Sequence, residues 1–190
     1  MHPDQPLVEA VLARRHGAFE QLLQRHQKLV WHVVQRMVMD AEDTRELSQE
    51  VFLRVYQKLH QFRFDCSLAS WIGRVAFSIA TRHLQRRRVP IDEAATRSED
   101  DAPELLDGVA DGVDLEAELL RDDLLRHVQS AMRTLSPLQR TLLTLYHGDE
   151  LSIAEIVSMT GQPEGTIKNS LFRARQRLRT ALQRSIEVPA

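Results

Sequence analysis

From Phe19 onward, Phe19, Leu22, Leu23, His26, Leu29, Val30, Val33, Val34 and Met37 recur at spacings of three and four with polar residues between them. That period predicts one long amphipathic helix. A second helix is predicted to open in "DAEDTRELSQEVFLRVYQKLHQF", where the acidic residues of the first turn suit the helix dipole and Leu47, Val51, Val55 and Leu59 form one stripe. "FRFDCS" interrupts the period, and residues 68–88 predict a third helix. Its Ile72, Val75, Ile79 and His83 face inward while Arg74, Ser78, Thr81 and Gln85 lie along the other side. No strand-like alternation of any length occurs, so the expected fold class is all-α.

After "RRR" at 86–88, "VPIDEAATRSEDDAPELLDGVADGVD" combines Pro, Gly and acidic residues with little apolar period, which reads as a flexible acidic linker over 89–114. It divides the chain into an expected first domain, 1–88, and a second, 115–190. Helical pattern resumes at Leu115, with Leu119, Leu120, Leu124, Val128, Ala131, Met132 and Leu135. "SPLQRTLLTLYHG" then supplies Ser136 as an N-cap, Pro137 at the first helical position and Gly148 near the stop. "LSIAEIVSMTG" follows with Ser152 as a cap and Gly161 suited to a left-handed C-terminal position. A short helix, a turn and a longer basic helix make a helix-turn-helix. The stretches before Phe19 and after Leu182 are short, and no added regulatory domain is expected in them.

Wound at about 100° per residue, the last helix puts Ile167, Leu171, Ala174 and Leu178 on one side, to pack on Ile153, Ile156 and Val157. Opposite lie Asn169, Phe172, Arg173 and Gln176, with Lys168 on the flank. Amide, guanidinium and ammonium groups near the start of such a helix are the chemistry that reads base edges in a major groove. Phe172 is unusual on a solvated face, and contact with a thymine methyl accounts for it. Arg175, Arg177 and Arg179 suit phosphates.

The net charge of -2 would by itself argue against a nucleic-acid partner, but its distribution reverses that. Residues 1–88 hold 14 Lys/Arg against 9 Asp/Glu, residues 89–123 hold 2 against 13, and residues 124–190 hold 9 against 5. Two basic blocks therefore flank an acidic strip. Phe62, Phe64 and Trp71 sit in or beside the irregular loop next to a helix ending in "RHLQRRR", and unpaired bases can stack on such rings while arginines hold the backbone.

The 190 residues are 43% hydrophobic, enough for one or two small cores. There is no long apolar run and no leader pattern, so a soluble cytoplasmic protein is expected, without membrane insertion. The single cysteine, Cys66, excludes an internal disulfide framework. None of the eight histidines has ligand-like spacing, no glycine-rich phosphate loop is present and no nucleophile has an evident base. Accordingly no catalytic residue, metal, cofactor or small-molecule substrate is expected.

Three blocks resemble the extracytoplasmic-function (ECF) class of bacterial sigma factors, small members of the housekeeping sigma (sigma-70) family that keep only the two conserved DNA-binding domains. "DAEDTRELSQEVFLRVYQKL" is similar to the segment that docks on the clamp helices of the polymerase β′ subunit. "FRFDCSLASWIGRVAFSIATRHLQRRR" resembles the segment that captures and melts the -10 promoter element. "LSPLQRTLLTLYHGDELSIAEIVSMTGQPEGTIKNSLFRARQRLR" resembles the domain that reads the -35 element.

The resemblance implies a sigma factor that binds core RNA polymerase and promoter DNA and is held off by an anti-sigma factor. The polymerase surface would comprise Asp43, Glu46, Gln49, Glu50, Leu53 and Arg54, with Phe52 nearer the core. The melting surface would comprise Phe64, Asp65, Cys66 and Ser67 in the loop, then Trp71, Arg74, Ser78 and Arg82 on the helix. The -35 contacts would be Thr166, Lys168, Asn169, Phe172, Arg173 and Arg175, with backbone N–H groups near Gly165 and Thr166 meeting phosphate. The chain departs from the family's usual pattern at Phe64, where glycine is usual, at Ser78, where asparagine is common, and at Asn169, where serine is frequent. A stand-alone helix-turn-helix regulator binding operator DNA as a dimer is the alternative, but it gives the "SQEVF" helix and the loop aromatics no purpose.

Overall fold

The computed structural model describes residues 2–87, 89, 91 and 126–187, and all regular elements among them are helical. The expected helical pattern from Leu115 to Leu124 and nearly all of the acidic linker lie outside the described residues.

Helix α1, Gln5–Leu12, lies ahead of the periodic run that starts at Phe19 and has Pro6 in its first turn. Its eight residues give too few turns for a helical period to stand out in the sequence. Helix α2, Ala18–Val38, is the amphipathic helix predicted from Phe19, and it buries Leu22, His26, Val30, Val33, Val34 and Met37. It stops where Met39 adopts a left-handed conformation, with φ at 56°. Asp40 then caps α3, Ala41–Lys58, its carboxylate accepting from the Asp43 N–H at 2.7 Å. A 3-10 turn at Leu59–Gln61 leads into the loop. Ser67 caps α4, Leu68–Arg86, by accepting from the Ser70 N–H at 3.1 Å.

Residues 126–133 form helix α5. Helix α6, Pro137–Leu143, opens with Ser136 and Gln139 in a reciprocal capping box and Pro137 in the first turn. The helix widens to a π turn at Thr144–Gly148. Helix α7, Ile153–Thr160, starts on a capping box of Ser152 and Glu155 and ends at Gly161 with φ at 70°, in the left-handed region where a Cβ is strained. Helix α8, Glu164–Glu187, completes the helix-turn-helix.

Helices α2, α3 and α4 pack on one another, with α1 laid across α2 and the 3-10 turn; α6, α7 and α8 pack together in the second half. The two halves also touch, α6 against α2 and α7 against α4. One connected apolar core runs from Leu22, Val51, Leu59 and Ile72 in the first half to Leu142, Ile156, Met159 and Ile167 in the second. Burying each such side chain removes about 1.5–3 kcal/mol of hydration cost, so joining the halves is itself stabilising.

Charged groups reinforce that junction. Arg140 on α6 is buried and donates to the carbonyl oxygens of Arg36 at 2.9 Å, Leu135 at 2.7 Å and Met37 at 3.4 Å. Two of these acceptors are unpaired carbonyls in the last turn of α2. His32 Nδ1 lies 2.8 and 3.0 Å from the two carboxylate oxygens of Asp149, just beyond the π turn.

Candidate nucleic-acid and polymerase interfaces

On α3, Glu46, Gln49 and Leu53 are exposed, with Leu53 at 58%. Their three- and four-residue spacing sets them on one face. Glu50 and Arg54 are half-buried and pair with each other at 3.8 Å, while Phe52 is buried as expected. Asp43 is engaged within the fold: it meets Arg87 at the end of α4, and His83 Nε2 lies 3.2 Å from its carboxylate without hydrogen-bond alignment. Tyr56, which the sequence reading passed over, is 47% exposed one turn beyond Leu53 and stands edge-on to Phe19 at 5.0 Å. Its position three residues after Leu53 was the available signal.

The loop between the 3-10 turn and α4 is built on aromatic rings. Phe62 is buried, and its ring centroid lies 4.7 Å from Phe64 and 5.7 Å from Trp71. Phe64 holds φ at 61°, the left-handed region that glycine occupies freely and a bulky residue does not. Two residues missed from sequence close this cluster. The His2 ring packs 5.4 Å from Phe64, and Asp4 Oδ2 accepts from the Leu68 N–H at 2.9 Å. Asp65 is exposed, Cys66 is a half-buried free thiol and Ser67 is spent as the α4 cap.

Along α4, Trp71 is half-buried, so one part of the ring belongs to the core and another reaches the surface, while Arg74, Ser78 and Arg82 are exposed. Val75 and His83 on the expected inner side are only half-buried. Arg74 is not free: Nε donates to the Ser158 carbonyl at 2.7 Å and Nη2 to Ser158 Oγ at 3.1 Å. Ser78 and Arg82 line a cleft whose opposite wall is Val157, Ser158, Met159, Thr160 and Gly161.

On α8 the two-sided pattern holds. Ile167, Leu171 and Ala174 are buried and Leu178 is half-buried, whereas Lys168, Asn169, Phe172, Arg173 and Gln176 are exposed, Phe172 at 57%. Thr166 is half-buried near the helix start. Lys168 pairs with Glu164 one turn back, and that ammonium holds the Glu164 carboxyl below its ordinary value. Arg175 is drawn toward its own domain, with its guanidinium 5.4 Å from the Tyr146 ring centroid and Nε 3.2 Å from His147 Nε2. Arg177 donates to Gln139 Oε1 at 3.3 Å, which leaves Arg179 as the more exposed of the two. Among the described residues no group of three or more His, Cys, Asp or Glu could hold a metal ion, and no helix is long and apolar enough to cross a membrane.

Known proteins match the chain along most of its length. Residues 22–89 match the family "Sigma-70 region 2" and residues 125–178 match "Sigma-70, region 4". RNA polymerase sigma-H factor of Pseudomonas aeruginosa is 33% identical over 181 residues, covering 95% of this chain and 94% of the relative. ECF RNA polymerase sigma-E factor of Escherichia coli K12 is 32% identical over 185 residues, with the same coverage. Among solved structures, CnrH in complex with the cytosolic domain of CnrY superposes with a TM-score of 0.63 at 18% identity, covering 95% of this chain and 97% of that one. The sigma factor RpoE in complex with the anti-sigma factor NepR from Bartonella quintana also gives 0.63, at 19% identity over 88% of this chain and 98% of that one. With a region 2-like bundle, a region 4-like helix-turn-helix and these full-length relatives, the chain belongs to the ECF RNA polymerase sigma factors, which bind core polymerase and direct promoter-specific initiation.

Proposed function

We propose a division of labour along the chain. The exposed α3 face of Glu46, Gln49 and Leu53, extended by Tyr56 and flanked by Glu50 and Arg54, docks on the β′ clamp helices of core polymerase. Asp43 contributes by fastening α3 to the end of α4, given its partners Arg87 and His83. The aromatic loop with Trp71 takes up an unpaired base of the -10 element, and Arg74, Ser78 and Arg82 hold the neighbouring backbone. The start of α8 reads the -35 element through Lys168, Asn169, Phe172 and Arg173, while N–H groups near Gly165 and Thr166 meet phosphate. Arg175 reaches phosphate from its seat on Tyr146. The acidic linker follows the polymerase's RNA-exit path.

Melting then draws on binding energy. Unstacking and unpairing cost a few kcal/mol per step, offset by base stacking, phosphate contacts and the polymerase interface. Two relatives of like fold were solved with CnrY and with the anti-sigma factor NepR, which supports an anti-sigma partner here, with action in the cytoplasm.

The observation that carries this proposal is the pairing, on one chain, of a ring-lined loop beside a basic helix with a second helix presenting amide, guanidinium and aromatic groups outward. The test is co-elution of the purified protein with core polymerase, followed by transcription from a fragmented genomic library. Transcripts sharing two upstream elements support it. Retention of particular fragments without polymerase would instead indicate a stand-alone operator-binding regulator.

A further inference from the structure

We infer that His2 and Asp4, just ahead of α1, are positioning residues for the loop over residues 62–68. Together they hold it in the shape that receives an unpaired base, acting through the loop and not on the DNA. This rests on the melting role given to that loop above.

Asp4 stands at the N-cap of α1, where an aspartate ordinarily turns its carboxylate to the free N–H groups of its own helix. Here it makes no such bond. Its Oδ2 accepts instead from the N–H of Leu68, the first residue of α4, at 2.9 Å and 64 positions further along the chain. A carboxylate at that end of α4 also meets the positive pole of the helix dipole. Ser67 answers the Ser70 N–H and Asp4 the Leu68 N–H, so the first turn of α4 is fixed from two separate parts of the chain. Trp71 follows directly on that turn, its N–H donating to the Ser67 carbonyl at 3.1 Å. Asp4 thereby helps to set where Trp71 stands.

His2 restrains the middle of the same loop. Its ring lies 5.4 Å from Phe64 and edge-on to Phe62 at 6.3 Å. Phe64 has φ at 61°, and a bulky residue keeps a left-handed backbone only where its surroundings over-determine it. Phe62 and His2 supply those surroundings. The Asp4 N–H in turn donates to His2 Nδ1 at 3.3 Å, which joins the two anchors into one strap. With side chains only 24% and 16% exposed, His2 and Asp4 are engaged on the loop and not offered to a strand. A base pocket whose walls are already placed loses less freedom when the base enters. Docking through α3 and reading through α8 use other helices, so loosening the strap should impair base capture alone.

Holoenzymes assembled with His2→Ala, Asp4→Ala, His2→Phe, Asp4→Asn and, as a reference, Trp71→Ala test this. Each is scored for polymerase co-elution, for permanganate reactivity of unpaired thymines, and for base preference on templates randomised at the -10 or the -35 element. His2→Ala and Asp4→Ala are expected to co-elute as the wild type does and to relax base preference at the -10 element only. Their promoter opening is expected to fall about tenfold, as when a dominant loop shape is left at about a tenth of the population. His2→Phe keeps a ring and Asp4→Asn keeps an acceptor, so each is expected to recover most of the opening. Normal opening by His2→Ala and Asp4→Ala, while Trp71→Ala fails to open, would overturn the positioning role and leave the melting role standing. Normal opening by Trp71→Ala would remove the melting role, and the positioning role with it. Loss of co-elution, or preference relaxed at both elements together, would make the two residues general supports of the fold and would also overturn the proposal. His2→Ala, which removes only a partly exposed ring, keeps the test decisive should Asp4→Ala fail to fold.

Discussion

Arg140 places its guanidinium next to that of Arg36 and donates from Nε to the Arg36 backbone carbonyl at 2.9 Å. Burial, with the neighbouring Arg36 charge, pulls the Arg140 pKa down to about 10. Holding that charge inside costs on the order of 3 kcal/mol, and three carbonyl acceptors offset it. Arg140→Ala leaves those carbonyls without their donor and is expected to lower unfolding stability by about 2–4 kcal/mol. Arg140→Lys, which cannot span three acceptors, should recover less than half. Urea unfolding midpoints decide; equal stability of all three proteins would show the contact to be incidental.

His26 is 5% exposed, and its Nε2 has no hydrogen-bond partner. Burial lowers its pKa, Asp4 opposes the shift, and Arg25 adds to it. The folded state therefore binds fewer protons than the unfolded chain, whose histidine titrates near pH 6.5. The stability His26 allows is present above that value and is lost as pH falls below it toward the folded pKa. His26→Leu is expected to flatten the pH dependence of unfolding free energy between about pH 7 and about pH 5. Parallel curves for the two proteins would remove His26 from the account.

Phe64→Gly relieves a left-handed backbone conformation costing about 1–2 kcal/mol but gives up the ring's packing on Phe62 and His2. The two effects oppose each other, so thermal stability should change by less than about 1 kcal/mol. Open-complex formation should nevertheless fall several-fold if the ring stacks on a base. Permanganate footprinting of unpaired thymines reads this directly, and unimpaired opening would reduce Phe64 to a packing residue.

Trp71→Ala should retain polymerase co-elution and lose promoter opening, with about 1–3 kcal/mol of base stacking removed. Because Trp71 is half-buried and lies 5.7 Å from Phe62, some stability is lost as well. Cooperative unfolding near room temperature would identify it as a core anchor alone.

Arg173→Ala is expected to weaken promoter use by about 1–3 kcal/mol and to relax preference at one base step of the upstream element. Selection from a template randomised at that element measures both. An unchanged base preference would move Arg173 to a phosphate-binding or idle role.

The helices and their caps were legible because they depend on neighbours in sequence. Ser136 and Ser152, read as caps, each accept an N–H three residues on, and Gly161 turns left-handed at the end of α7; Asp40 and Ser67 cap α3 and α4 in the same way without having been singled out. The outward row on α8 was legible for the same reason, since a helix fixes which side chains share a face. The sequence reading missed α1, which is short, and Tyr56, whose exposure depends on what α2 leaves uncovered. It also missed the engagement of Asp43, Arg74 and Arg175, because their partners Arg87, Ser158 and Tyr146 lie far along the chain.

By itself, then, the sequence determined an all-α chain with a helix-turn-helix, a ring-lined loop and two basic blocks, since local period, capping and composition carry that information. Only the tertiary structure decided that the two halves share one core and that Gly73 meets Met159. Burial and long-range contact are set by chain segments that meet only after folding, and no local pattern near Arg74 records that Ser158 will be there.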